Sequence, residues 1–293
     1  MKCRYSILLF FALLFVADQV FAQGYYNIRR ARNLVVTGGT GLAFYFGDLA
    51  DPGDISNITP NFTVGARYNV TNRIAVGTDL TWFMLRGADS KSETKQIRNL
   101  SFRSHNFELN LIGQVTLFEE GERFYLRPLV NPYIYAGIGV VQFNPTAELD
   151  GERYYLPDFK TEQVNYSTIA LCIPAGIGLK FRLNPFFNIS VDGGFRWVQS
   201  DYLDDVSSGI YPEHASFEDP IARRLSDRSG ETGLNPSLSE KGSMVRGNPD
   251  KNDAYFIFNA KLEYYIGTGA IFGSQNRYKG KMRRKKYRGG KRR

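Results

Sequence analysis

The chain has 293 residues, a formal net charge of +8 and two cysteines, with a mean hydropathy of −0.31. Cys3 falls in the leader and Cys172 then stands alone, which excludes an intramolecular disulfide or a thiolate metal cluster in the processed chain. The charge is segregated: residues 267–293 carry +11 and residues 1–22 carry +1, leaving −4 for residues 23–266.

Residues 1–22 have the three regions of a secretory signal peptide: Lys2 and Arg4, the apolar run Ile7–Ala17, then Val20-Phe21-Ala22 before Gln23. The run is too short for a spanning helix, which needs about 20 apolar residues. No later segment reaches that length. An exported chain without a spanning helix is either soluble or a β-barrel. Residues 23–33 are expected as a periplasmic N-terminal segment.

Eight segments then carry strand character. Residues 34–46 are apolar with an unclear face. Phe62, Val64, Ala66, Tyr68 and Val70 alternate with Thr63, Gly65, Arg67 and Asn69. Ile74, Val76, Leu80, Trp82 and Met84 alternate with Gly77, Asp79 and Thr81. Phe107 to Leu117 alternate with Glu108, Asn110, Gln114 and Thr116. Residues 126–143 are again apolar with an unclear face. Ile169 to Phe181 place Cys172 and Lys180 on the polar side; Phe187 to Trp197 place Asp192 and Arg196 there. Ala254 to Ile266 alternate with Asn259, Lys261 and Glu263. A period of two argues for strands. Most of these segments run 12 residues or more, where soluble strands average about 5–6.

The connections alternate short and long. Short ones fall at Thr71-Asn72, residues 119–123 and Asn184-Pro185; long ones at 47–60, 87–103, 144–165 and 201–252. Tight periplasmic turns and large outer loops are the pattern of an outer-membrane barrel. The expected fold class is therefore all-β: an eight-stranded antiparallel transmembrane β-barrel of OmpA/OmpX-like architecture over residues 34–266. A soluble barrel of lipocalin type would instead turn its apolar face inward. Strand length, loop asymmetry and the strand-end aromatics Tyr68, Trp82, Phe107, Phe181, Phe187, Trp197 and Tyr264 favour the membrane form. The lumen of an eight-stranded barrel is just wide enough for side chains. Arg67, Asp79, Glu108, Asp192, Arg196, Lys261 and Glu263 are expected to form a paired polar plug there.

Candidate chemistry is sparse. His105 and His214 lie in no local Ser–acid motif, and His105 reads as an interfacial or strand-end residue. Asp201, Asp204 and Asp205 lack the calcium-loop pattern and read as the solvated start of the last long loop. Gly38-Gly39-Thr40-Gly41 precedes no helix, so it is not a phosphate loop. Neither a cofactor nor a metal is implied.

LAFYFGDL at 42–49, with Gly47 and Asp48, and DYLDDVS at 201–207, with Asp201, Tyr202, Asp204 and Asp205, resemble recurring stretches of the PorG-like family of Bacteroidota outer-membrane proteins, associated with type IX secretion. The likeness spans roughly residues 30–266, and the second stretch is its specific part. It implies a non-enzymatic barrel that contacts a periplasmic ring of PorK- and PorN-like proteins. One departure is that such barrels commonly finish on an aromatic residue, whereas here the chain runs on for 27 residues after Ile266.

That tail, 267–293, is a polar run of one sign and is expected to be disordered alone. Its cations are Arg277, Lys279, Lys281, Arg283, Arg284, Lys285, Lys286, Arg288, Lys291, Arg292 and Arg293. With an even strand number both chain ends fall in the periplasm, so the export signal argues against nucleic acid as its partner. An acidic ring protein, reached by electrostatic steering, or anionic lipid head groups are the expected partners; a solvated tail without a partner is the alternative. Two further functional readings stand beside anchoring: outer loops that bind an extracellular ligand, and a lipid-modifying enzyme at the membrane rim.

Overall fold

The computed structural model describes residues 32–50, 57–91, 95–121, 124–233, 237–240 and 245–266. Residues 1–22, expected as a signal peptide, and the basic run 267–293 lie outside the described residues.

Ten strands form: β1 Leu34–Phe46, β2 Thr59–Asn69, β3 Ile74–Ala88, β4 Ser101–Thr116, β5 Val130–Gln142, β6 Pro145–Leu149, β7 Glu152–Tyr155, β8 Ile169–Arg182, β9 Phe187–Val198 and β10 Ala254–Ile266. Eight of them pair antiparallel in the order β3-β2-β1-β10-β9-β8-β5-β4, and β3–β4 pairing closes the ring. The chain ends are neighbours, with Leu34 opposite Ile266. Closure leaves no open edge in the ring. In hydrocarbon each unsatisfied backbone group costs several kcal/mol, so an edge there would outweigh any side-chain gain.

The orientation of the two faces decides between the membrane and lipocalin readings. Phe62, Val64, Leu109, Leu111, Ile134, Ile138 and Ile177 are exposed on the outer face, Ile177 to 69%. Arg67, Asp79, Glu108, Asp192, Arg196, Lys261 and Glu263 are all buried at 6% or less. An apolar exterior around a charged interior is stable only where lipid replaces water outside. The outward aromatics fall towards the two ends. Tyr68, Phe181, Phe187 and Tyr264 lie near the short turns, with Phe187 and Tyr264 in ring contact at 5.0 Å. Phe62, Trp82, Phe195 and Trp197 lie in the half nearer the long loops. On β10 the outward Phe256 and Tyr264 are separated by about 26 Å along the strand, or about 20 Å along a barrel axis inclined by about 40°, close to the apolar band of about 25 Å.

Residues 34–46 and 126–143, whose faces the sequence leaves open, are organised by close backbone approach. Tyr133 and Tyr135 of β5 turn inward and lie across the adjoining β8. A Cβ at Gly178 would meet the Tyr133 ring at 2.5 Å, and one at Gly176 the Tyr135 ring at 2.7 Å. Glycine on β8 therefore makes room for tyrosine from β5.

The long connections differ from the sequence reading. Residues 144–165 contain the β6–β7 hairpin, which pairs with the end of β4, and a helical turn at Leu156–Phe159. Its turn is Asp150-Gly151, both at positive φ, 54° and 84°, the sequence that a two-residue hairpin turn prefers. The last loop carries a seven-residue helix, Pro220–Ser226, capped by Asp219 accepting from the Ile221 amide. These pieces pack into a cap over the barrel mouth, around Leu49, Leu100, Phe143, Leu149, Leu156, Leu203, Val206 and Leu225. The cap core is continuous with the inward Phe83, Leu85, Tyr255 and Ile257 of the barrel.

Candidate functional site

Strand alternation puts every second residue into the lumen, and register decides which charges meet. Arg67 on β2 and Asp79 on the neighbouring β3 pair at 3.0 Å. Lys261 on β10 bridges Asp79 at 3.4 Å and Asp192 of β9 at 3.1 Å. Asp192 also accepts from the Tyr133 hydroxyl at 3.1 Å. Arg67 reaches across to Glu263 at 3.8 Å and donates to Gln114 Oε1 at 3.1 Å. Nearer the cap, Arg196 stands 3.6 Å from Glu108, which also accepts from the Tyr255 hydroxyl. At the short-turn end Lys180 pairs with Glu120 at 3.1 Å, and the Arg127 guanidinium covers the Tyr265 ring at 4.1 Å. The seven lumen residues singled out in the sequence thus form two clusters. Buried charges persist only when paired; adjacent strands supply Arg67–Asp79 and Lys261–Asp192, and contacts across the lumen supply Lys261–Asp79, Arg67–Glu263 and Arg196–Glu108. Cys172 lies beside them, buried, its sulfur 3.7 Å from Asn110 Oδ1.

The cap holds a second buried polar system. Asp201, Asp204 and Asp205 are buried at 8%, 1% and 2%, which corrects the expectation of a solvated loop. The reason is long-range packing. Asp204 Oδ2 and Asp253 Oδ1 each lie 2.7 Å from the single Tyr45 hydroxyl. One phenolic proton cannot serve two carboxylates, and burial together with mutual repulsion pushes the Asp253 carboxyl well above the usual carboxylate range. Asp205, at φ +67°, accepts from Tyr166 at 2.5 Å and from Thr161. Burial, offset by Arg246, pushes it up to about 6. Asp201 is pushed up to about 7 by burial, with Asp48 and Glu162 adding to the effect. Tyr202 stacks on Tyr166 at 4.4 Å.

Gly47 and Asp48 join the same system. A Cβ at Gly47 would lie 1.9 Å from the Tyr45 hydroxyl and 2.0 Å from Asp253 Oδ1, so only glycine lets the chain pass over that pair. Asp48 accepts from the Asn248 amide at 2.7 Å, and its carbonyl accepts from Arg98 at 2.8 Å. Arg98 also forks onto Asp89 at 2.6 and 2.7 Å. Arg246, 2% exposed, pairs with Glu162 and donates to the Asp205 carbonyl. Glu162 in turn accepts from the Ser207 and Ser208 amides. Sequence reasoning passed over Arg98, Asp89, Glu162 and Arg246. Glu162 and Arg246 are 84 residues apart, and no local pattern marks such a pair.

The two histidines differ. His105 faces outward on β4 and stacks on Trp82 at 5.8 Å. His214 Nε2 lies 2.5 Å from Ser239 Oγ, and its Nδ1 lies 3.7 Å from Glu240. Ser239 Oγ donates to Asp227 Oδ2 at 2.7 Å. Its one proton is thereby engaged by a carboxylate, so His214 is not positioned to withdraw it as a base would in a Ser–His pair. The described residues contain no group of three or more His, Cys, Asp or Glu that could hold a metal ion.

A closed ring with an apolar exterior and a charged, filled lumen defines a transmembrane β-barrel of the outer-membrane class. By sequence the chain belongs to the family described as "Domain of unknown function (DUF6089)", whose model matches residues 10–220. No curated protein matches it in sequence. Among solved structures it is similar to Neisserial surface protein A, with 9% identity, 80% of this chain and 97% of that chain covered, and a TM-score of 0.41. The N-terminal β-barrel domain of Pseudomonas aeruginosa OprF covers 81% and 100% at 9% identity and a TM-score of 0.38. The outer membrane enzyme PagL covers 79% and 99% at 15% identity and a TM-score of 0.35. At such identities the likeness concerns the fold alone.

Proposed function

We propose that the protein is a non-enzymatic outer-membrane barrel, with both termini in the periplasm, that anchors a periplasmic protein complex through its basic tail. The observation that carries this reading is the placement of charge. Leu34 and Ile266 are hydrogen-bonded neighbours at the short-turn end, so the +11 of residues 267–293 leaves the barrel there, while the rest of the processed chain is net negative. The filled lumen supports a role without diffusion through the barrel, leaving the two ends as working surfaces. The PorG-like resemblance makes a type IX secretion ring of PorK- and PorN-like proteins the partner of choice, ahead of anionic head groups. Deleting residues 277–293 is expected to abolish co-purification of periplasmic partners from detergent-solubilised outer membranes while the barrel still inserts. Unchanged recovery of those partners would remove the anchoring role.

A second reading is favoured by the cap. A packed lid, its core continuous with that of the barrel mouth, gives the long-loop end a defined shape, as binding to an extracellular ligand would require.

A further inference from the structure

One belt of the lipid-facing surface changes abruptly in side-chain size. Gly113, Ala136 and Ala175 are paired in line across β4, β5 and β8, and the same row continues as Phe195 and Phe256 on β9 and β10. One row nearer the short turns, the outward Gly193 of β9 lies between Ile177 and Phe258. The Phe256 ring leans over it, where a Cβ on Gly193 would meet the ring at 2.7 Å. A groove of about 1050 Å³ follows from this step in size. Phe195, Phe256 and Phe258 wall it towards the long loops, and Ala175 and Gly193 form part of its floor.

The groove has a direction. Gly193 is six residues from the start of β9 at Phe187. Val115, in the same row through Ile177 and Ile134, is next to last in β4. The row therefore descends towards the short turns, and Arg73 lines the groove there beside Val115 and Leu117. Four strand spacings separate β9 from β3, about 19 Å. With strands inclined by about 40° this is about 12 Å along the barrel axis, half of the apolar band of about 25 Å. The groove thus spans the depth of one leaflet.

Its lower end carries both signs. Arg73 pairs with Glu119 at 3.3 Å, and the two side chains are 55% and 63% exposed. Exposed pairs of this kind add little, so the two groups exchange partners at small cost. We propose that the groove is a site for a zwitterionic phospholipid with a primary ammonium, of the phosphatidylethanolamine class. The phosphate meets Arg73, whose planar fork suits its oxygens, and the ammonium donates to Glu119. An acyl chain lies over Ala175 and Gly193 and supplies the contacts that larger side chains supply elsewhere on the belt. Such binding needs the barrel and its membrane alone, whichever leaflet the short turns face and whatever the basic tail engages.

The test uses the full-length processed protein, delipidated in a non-ionic detergent and titrated with phosphatidylethanolamine, phosphatidylglycerol or phosphatidylcholine in mixed micelles. Native mass spectrometry counts the lipid retained, and thermal unfolding reads the protection. One phosphatidylethanolamine per chain is expected, with a saturable rise in the midpoint. Its affinity should exceed that of either control by about fivefold, because phosphatidylglycerol lacks the cation and phosphatidylcholine lacks the N–H donors. Ala175→Phe, an apolar change on the lipid face, should lower retention by about tenfold by filling the groove. Arg73→Gln/Glu119→Gln removes an exposed pair that adds little to folding and should bring the three lipids to equal affinity. Equal retention of the three lipids by the wild type would overturn the head-group assignment. Full retention by Ala175→Phe would overturn the groove. A dimer without bound lipid, lost in Ala175→Phe, would give the groove to a second copy and overturn the proposal as well. Should Ala175→Phe not fold, the double variant decides alone: an unchanged lipid preference overturns the site.

Discussion

The lumen and the cap both bury ion pairs, and they do so by different means. In the lumen, Arg67, Asp79, Lys261 and Asp192 come from the adjoining strands β2 and β3 or β9 and β10, and the ladder brings each pair into range. In the cap, Arg246, Glu162, Asp205 and Asp48 come from three separate loops, and nothing but the packing of those loops brings them together. The lumen is thus as stable as the barrel itself. The cap shares its core with the barrel mouth, but its ion pairs rest on loop contacts alone, and local opening is expected to start there.

The sharpest way to break this contrast is to remove one cation from each region. Arg67→Ala strands Glu263 in the lumen and leaves Asp79 with Lys261 alone. Breaking a buried pair from one side costs about 3–5 kcal/mol, so the global unfolding midpoint in denaturant should fall by that order. Arg246→Ala strands Glu162 in the cap. It should leave the global midpoint nearly unchanged and accelerate proteolysis within residues 201–252. A fall in the global midpoint for Arg246→Ala as large as for Arg67→Ala would show that cap and barrel unfold together.

A smaller effect separates the regions by pH. Asp205 and Asp201 have folded values near 6 and 7, above the 3.8 taken as their ordinary value, so the folded cap binds more protons than the unfolded one. The contribution of these two groups to cap stability is then greatest below about pH 4 and is lost as pH rises through about 6 to 7. Protease cleavage of the last loop should increase over that interval, and Asp205→Asn should flatten its share of the profile. A loop that became more resistant with rising pH would contradict the sign.

The smallest effect is expected at the cap surface. Arg224 pairs with Asp150 at 2.5 Å, but both side chains are largely exposed, and such pairs add little. Asp150→Asn should unfold and proteolyse like wild type in both assays.

The difference between the regions is also the difference in what could be read. Six of the eight barrel strands and the sign of their lumen face follow from alternation, a signal carried by each of those strands alone; residues 34–46 and 126–143 read only as apolar, and pairing with their neighbours fixed their faces. The β6–β7 hairpin was within reach, since Asp150-Gly151 lies between alternating segments, but it sits in a stretch otherwise read as loop. Asp201, Asp204 and Asp205 could not be placed, because a carboxylate in a loop is solvated unless distant residues come to cover it.

The order of apolar and polar residues along the chain determined a closed membrane barrel, because a period of two assigns each side chain to one face and lipid demands the apolar one outside. Tertiary structure alone decided the folded cap, the meeting of Tyr45 with Asp204 and Asp253, and the facing of Arg86 on Arg103. Each of these depends on register or on contacts between loops, which arise only when segments far apart in the chain are brought together.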